Sequence, residues 1–250
     1  MKSSGEQLLI GIHAVSSALK ADAREVTWVR LVNQSRNKRL LALESRAHGS
    51  GVEVIKSTRS ELDSLSGQQR HQGVIAGFRG SNIATEGRLE ALLDAIPGIP
   101  LILVLDGVQD PHNLGACLRT ADAAGVHLVV ICKDRSAGIT PVVRRAASGA
   151  AETIPIIQVT NLARVLRVLK KRGIWLAGTS DAAPASLYLT DLTGPLALVM
   201  GSEGDGLRRL TGELCDYLVN IPMAGQVESL NVSVASGVCL YEINRQREIR

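Results

Sequence analysis

Predominantly apolar runs occur at 101–105, 127–131, 174–178 and 196–200, with a weaker one near 217–221 that Asn220 interrupts, and helical patterns fall between them. Strands that are apolar at every position need cover on both faces, so this alternation dictates an α/β fold with a mainly parallel sheet between helix layers. Leu162, Val165, Leu166 and Leu169 form one helical stripe, while Arg164, Arg167 and Lys171 take the opposite side. Thr160 reads as the cap of that helix, and Thr140-Pro141 as another helix start, with Thr capping and Pro at the first helical position. Val232 to Gln246 reads as a long closing helix.

A smaller α/β unit precedes this one. Between about Leu8 and Phe78 the pattern predicts helices over His13–Lys20 and Arg36–Ala47, and strands over Val26–Val32, Val52–Ile55 and Val74–Phe78. Ser57 or Ser60 would cap a further helix ending near Leu65. From Arg79 to Pro100 the chain turns polar and ends in Pro97-Gly98-Ile99-Pro100, with room for a helical turn or two at Glu90–Ile96. The expected organisation is therefore a domain at 1–79, a linker at 80–98 and a larger domain at 99–250.

Composition narrows the function classes. Aromatic residues make up only 2% of the 250 residues, which argues against an RNA surface built from rows of stacking rings. A net charge of +4 is compatible with a polyanionic partner without requiring one. Arg36, Lys38, Arg39 and Arg46 cluster on or beside one helix, as either a solvated face or an RNA contact. The four cysteines form no Cys-x-x-Cys pair and read as buried, reduced thiols. The five histidines show no ligand spacing, so no catalytic metal is expected. The apolar run behind the polar N-terminus is too short for a signal peptide, and no segment approaches membrane-spanning length; a soluble, cytoplasmic protein is expected.

Three loops, each following an apolar strand, carry the candidate chemistry. The first, Leu105 to Arg119, presents Asn113 and Arg119 at a strand end, where ligands of open α/β sheets collect. The second, Gly201-Ser202-Glu203-Gly204-Asp205-Gly206, has three glycines around Glu203. Its spacing is the reverse of the dinucleotide fingerprint, but it still signals close backbone approach or positive φ. The third, Ile221 to Asn231, offers Ser229 and Asn231, either of which could cap the closing helix. No Ser-His-Asp set, P-loop or nucleophilic cysteine accompanies them.

The segments LDGVQDPHNLGACLRTADAAGV, LVMGSEGDGLRR and IPMAGQVESLNVSVASGVCLYE resemble, in order, the three motifs of the SpoU-type ribose 2′-O-methyltransferases of the SPOUT superfamily. IGIHAV near the start and HQGV at 71–74 resemble the borders of an N-terminal RNA substrate-binding domain similar to ribosomal protein L30-type folds (L30e/L7Ae-like). The resemblance implies a C-terminal SPOUT domain tied as a trefoil knot, a homodimer, and S-adenosyl-L-methionine as methyl donor. Its catalytic positions fall on Asn113, Arg119, Glu203, Ser229 and Asn231, and its cofactor-binding positions on Thr179, Gly201, Ile221, Met223 and Leu230. It implies methylation of a guanosine ribose in large-subunit rRNA, with tRNA or another rRNA site as the alternative. Arg119 is implied either to accept the hydroxyl proton or to pin a phosphate and stabilise the alkoxide, given that a guanidinium keeps its protons at neutral pH. RNA contact is expected from Arg135, Arg144 and Arg145.

Two other classes compete. A nucleotide-dependent oxidoreductase is disfavoured by the missing Gly-x-Gly-x-x-Gly. A non-catalytic RNA-binding factor is disfavoured by the presence of Asn113, Arg119, Glu203 and Asn231.

Overall fold

A computed structural model of the chain describes residues 6–79 and 83–248. In chain order the elements are β1 (Gln7–Ile10), α1 (Ile12–Ala21), β2 (Val26–Val32), α2 (Lys38–Gly49), β3 (Glu53–Ser57), α3 (Arg59–Leu65), β4 (Val74–Phe78), β5 (Ile83–Thr85) and α4 (Leu89–Asp94). There follow β6 (Leu101–Asp106), α5 (Pro111–Ala123), β7 (Leu128–Cys132), α6 (Pro141–Ala146), α7 (Ala150–Thr153), β8 (Ile156–Val159) and α8 (Leu162–Lys171). The chain closes with β9 (Trp175–Thr179), β10 (Ala185–Ser186), β11 (Leu196–Gly201), α9 (Arg209–Leu214), β12 (Tyr217–Asn220) and α10 (Val232–Glu248). Two compact units emerge: Met1–Asn82 with Ile139–Thr153, and Ile83–Gly138 with Ile154–Arg250.

In the first unit the sheet order is β1-β4-β2-β3, antiparallel except for the β2–β3 pair. Leu9, Val15, Val29, Leu43 and Val74 build its core. The α3 helix is capped by Thr58, not Ser57 or Ser60: Thr58 Oγ1 accepts from the Glu61 N–H, and Glu61 returns a carboxylate to the Thr58 N–H. This reciprocal pair satisfies two N-terminal donors that a lone serine could not.

The α6–α7 segment, expected in the C-terminal domain, belongs to this first unit. Arg144 is buried, donates to Glu152 at 2.6 Å and donates to Gln7 Oε1 at 2.6 Å. Gly149, at φ 100°, allows the backbone to approach α1; a Cβ there would lie 2.1 Å from Ser17 Oγ. Arg144 is thus not an RNA-facing cation: its charge is neutralised within the fold, and a buried guanidinium needs such a partner. A helical pattern cannot reveal which of two cores a short helix joins. Thr140 does cap α6, accepting from the Val143 N–H.

The second unit holds an eight-stranded parallel sheet in the order β10-β12-β9-β11-β6-β7-β8-β5. The fully buried runs expected at 101–105 and 196–200 lie side by side as β6 and β11, Leu101 opposite Leu196 and Asp106 opposite Gly201. Sequence order runs from β6 through β7 to β8 on one side and returns to β9 and β11 on the other. The strand order therefore reverses beside β6, and parallel pairing puts the loops after β6, β11 and β12 at one end of the sheet.

The expected linker at 80–98 is a correction, although 80–82 lie outside the described residues. β5 pairs with β8, and Leu89 and Leu93 of α4 pack into the core against Ile102 and Leu128. Glu86 accepts from the N–H groups of Thr160 and Asn161 at 2.6 and 3.0 Å and pairs with Arg164. Polar residues and prolines suggested a tether, but this acid replaces a helix cap's work. The cap of α8 is accordingly Asn161, which accepts from the Arg164 N–H, rather than Thr160.

Candidate active site

The strand end after β6 is fixed first. Asp106 is buried, accepts from the Arg208 N–H at 3.1 Å and pairs with the Arg208 Nε at 3.3 Å. Gly107 follows at φ 88°, turning the chain towards α5. Asp110 caps that helix by accepting from the N–H groups of His112 and Asn113, with Pro111 at the first position. Asn113 is thereby held in the first turn.

Behind β11 the glycines do specific work. A Cβ on Gly201 would sit 2.1 Å from the Gly206 carbonyl carbon, so only glycine permits the tight return. Ser202 and Gly206 exchange backbone hydrogen bonds at 3.0 and 3.2 Å, with Gly204 and Gly206 at φ 93° and 66°. This miniature hairpin holds Glu203 outward. Glu203 Oε1 accepts from Asn113 Nδ2 at 2.7 Å, and Oε2 accepts from the Gln109 N–H at 3.3 Å.

Asn231 resolves the third loop. Its Oδ1 accepts from the Ser233 N–H and hydroxyl at 2.9 and 2.6 Å, capping α10, while its Nδ2 donates to Asn113 Oδ1 at 2.9 Å. One side chain thus caps α10 and also reaches the first loop through Asn113. Among the described residues Ser229 caps no helix.

Beside this chain of hydrogen bonds lies a cleft of about 690 Å³. Thr179, Gly201, Ile221, Met223 and Leu230 all line it, with Glu203, Ser229 and Asn231. Asp181, Asp205, Arg208, Arg209 and Leu218 line it too and were not singled out from sequence. The signal for three of them lay in the Asp205-Gly206-Leu207-Arg208-Arg209 run, inside the second motif. The wall thus combines methionine and branched aliphatic side chains, exposed hairpin backbone and carboxylates, a donor set suited to a mixed apolar and cationic ligand.

Arg119 is not brought to the cluster. On α5, Cys117 contacts Ser236 and the Ala124 carbonyl accepts from Asn244, so that side of the helix faces α10. Six residues on from Asn113, Arg119 lies about 120° around the helix axis, exposed to solvent. Among the described residues its guanidinium makes no hydrogen bond or ion pair. Arg135 is exposed in the loop after β7, and Arg145 is exposed on α6 in the other unit.

Burial pushes the thiols up: Cys117 and Cys132 to about 11, Cys215 and Cys239 to about 12. Such thiols are poor nucleophiles at neutral pH. Among the described residues no group of three or more His, Cys, Asp or Glu is arranged to hold a metal ion, and no helix is long and apolar enough to cross a membrane.

Comparison with known proteins adds the family. Residues 100–241 match the SpoU rRNA Methylase family, and residues 8–84 match the family described as RNA 2′-O ribose methyltransferase substrate binding. The chain is 55% identical over 246 residues, 98% of each chain, to the 23S rRNA (guanosine-2′-O-)-methyltransferase RlmB of Ralstonia nicotianae. It is 49% identical over 244 residues to the protein of the same name from Yersinia pestis, covering 98% of this chain and 99% of that one. The fold resembles the SpoU methyltransferase AviRb from Streptomyces viridochromogenes, solved in complex with the cofactor AdoMet, with a TM-score of 0.81 at 26% identity, covering 99% of this chain and 92% of that one. With its three loops meeting at one end of a parallel sheet, this chain belongs to the SpoU rRNA Methylase family.

Proposed function

We propose that this chain transfers a methyl group from S-adenosyl-L-methionine to the 2′-oxygen of a guanosine ribose in 23S rRNA. The observation that carries this reading is the hydrogen-bonded series Asn231–Asn113–Glu203 at the border of the cleft. The relatives' names and the AdoMet-bound neighbour support both the substrate and the donor.

The residues present fit the donor. The Gly201–Gly206 hairpin, which needs glycine at 201 to close, lines the cleft, Ile221, Met223 and Leu230 suit an adenosine, and Asp181 and Asp205 suit cationic groups. When bound, S-adenosyl-L-methionine supplies a sulfonium methyl as electrophile, so the protein's share is positioning and activating the oxygen. Asn113 and Asn231 hold the ribose, and Ser229 adds a hydroxyl to the same wall. Glu203 Oε2, whose contact with the Gln109 N–H is long at 3.3 Å, has capacity to accept the 2′-hydroxyl proton. Arg119 stabilises the developing alkoxide or pins a flanking phosphate.

A homodimer supplies the geometry that a single chain lacks. Val234 and Tyr241, seven residues apart on α10, are 52% and 56% exposed, an apolar stripe that a second copy would cover. Docked there, one copy could present Arg119 to the Asn113–Glu203–Asn231 cluster of the other. Knotted threading of the segment after β12 and a cytoplasmic location belong to the same reading. Arg135 and Arg145, both exposed, are its proposed RNA contacts.

Incubating the purified chain with tritiated-methyl S-adenosyl-L-methionine and transcribed 23S rRNA tests the reading. Label in a dinucleotide resistant to alkaline hydrolysis at a guanosine is the expected result. Label on a base, or none, contradicts it.

A further inference from the structure

Arg208 stands just past the second loop, and its guanidinium is steered from beneath by a carboxylate that solvent does not reach. Asp106, at the end of β6, is 1% exposed; its Oδ2 accepts from the Arg208 N–H at 3.1 Å, and its Oδ1 faces Arg208 Nε at 3.3 Å. The Cys132 thiol donates to the same Oδ1 at 3.8 Å. The Arg208 side chain is 43% exposed and lines the cleft. Gly107 makes room for it: a Cβ there would lie 3.3 Å from Arg208 Nη2 and 3.7 Å from Ser202 Cβ. The end of the guanidinium therefore sits between the loop that carries Asn113 and the hairpin that carries Glu203.

Holding a guanidinium at Nε leaves its two terminal amino groups as a planar fork of parallel donors. Among the described residues neither of them has a hydrogen-bond partner. An anion is a poor occupant for this fork. Arg208 is balanced by Asp106 and Arg209 by Glu213, so Asp181, Glu203 and Asp205 set the sign of the cleft wall. Negative surroundings repel a phosphate or a carboxylate and suit a neutral group with two adjacent acceptors. Guanine has such an edge, with O6 and N7 both accepting and spaced to meet an arginine fork. Adenine sets an amino group beside N7, so one donor of the fork would meet another donor.

We infer that Arg208 reads the target base, donating from its two terminal amino groups to O6 and N7 of the guanine whose ribose Asn113 and Asn231 hold. A nucleotide drawn out of its stack exposes that edge to a side chain. Asp106 acts through Arg208, fixing the plane in which the fork points. The inference rests on the methyltransferase reading above and adds the residue that makes the reaction selective for guanosine.

Methyl transfer to 23S rRNA transcribed with GTP, and to the same RNA transcribed with 7-deazaguanosine triphosphate, tests it. The second RNA keeps its base pairing but carries C–H in place of N7. Wild-type kcat/KM should be about tenfold lower on the 7-deaza RNA, the scale of spoiling one bidentate contact. R208Q should be slower than wild type on ordinary rRNA by about tenfold or more, and should show no preference between the two RNAs. R208K keeps a charge beside Asp106 but has no fork, and should behave as R208Q does. Affinity for S-adenosyl-L-methionine, read by calorimetry, should stay at the wild-type value in both variants. A wild type indifferent to N7, or an R208Q protein that discriminates as the wild type does, overturns the assignment while leaving the methyltransferase reading intact. So does full activity in R208K, which would make Arg208 a point charge for phosphate. A loss of donor affinity that matches the loss of rate overturns it too, because the fork would then hold the donor. Failure of the wild type to methylate ordinary rRNA instead removes the reading beneath it.

Discussion

Asn113 donates its amide to Glu203, 90 positions onward, and accepts from Asn231, 118 positions onward, at 2.7 and 2.9 Å. One side chain thus stitches together loops following three different strands. Its amide has the required polarity at both ends: a donor toward the carboxylate and an acceptor toward the second amide.

Replacing Asn113 with Asp reverses the end facing Glu203 and sets two carboxylates together. Methyl transfer in single turnover should fall by about 100-fold, the scale of losing one positioned donor. Calorimetry should find S-adenosyl-L-methionine affinity little changed. N113D with wild-type turnover would remove the cluster from the mechanism.

Arg119→Ala should abolish methyl transfer and spare cofactor binding, because the guanidinium stands apart from the cleft lining. If Arg119 acts across a dimer, mixing R119A with N113D protein should restore part of the activity, since one mixed site is intact. No restoration, together with equal loss of cofactor affinity, contradicts the assignment.

Asp106→Asn should loosen the turn that carries Glu203, since the carboxylate binds both the backbone and the guanidinium of Arg208. A stability loss of about 1–2 kcal/mol is expected, read from urea midpoints. Turnover should fall more than cofactor affinity does; an unchanged turnover would separate this anchor from the site.

Arg144→Gln should cost about 3 kcal/mol, because it removes the cation that pairs with the buried Glu152 carboxylate. At a temperature where the variant is folded, its RNA-binding salt slope should match the wild type. A flattened slope would return Arg144 to the RNA surface. R135Q and R145Q should show the opposite pattern, with shallower slopes and unchanged stability.

Burial keeps all four thiols protonated well above neutrality, so thiolate appears only as pH approaches 11. Iodoacetamide at pH 8 should leave activity intact. Rapid inactivation would place a reactive cysteine at the site.

Legibility of the sequence followed the range of the interactions. Uninterrupted apolar runs such as 101–105 and 196–200 announced buried parallel strands because burial on both faces leaves no alternation. The glycines at 201, 204 and 206 announced a tight backbone return, which the hairpin between Ser202 and Gly206 supplies. Short strands behaved otherwise: β5 and β8, of three and four residues, gave too little periodicity to register. The placement of α6 and α7 was invisible because an ion pair between Arg144 and Glu152, and contact at Gly149, depend on the fold around them. Asn231 showed why motif residues stay ambiguous: a helix cap and a site donor are the same amide seen from its two ends.

Mapping ribose methylation along 23S rRNA from a strain lacking this protein, complemented with either the wild-type or the N113D chain, addresses the central claim most directly. The account predicts that one guanosine is unmethylated in the deletion strain, regains its 2′-O-methyl group with the wild-type chain and stays bare with N113D. A methylation pattern identical in all three strains would contradict it.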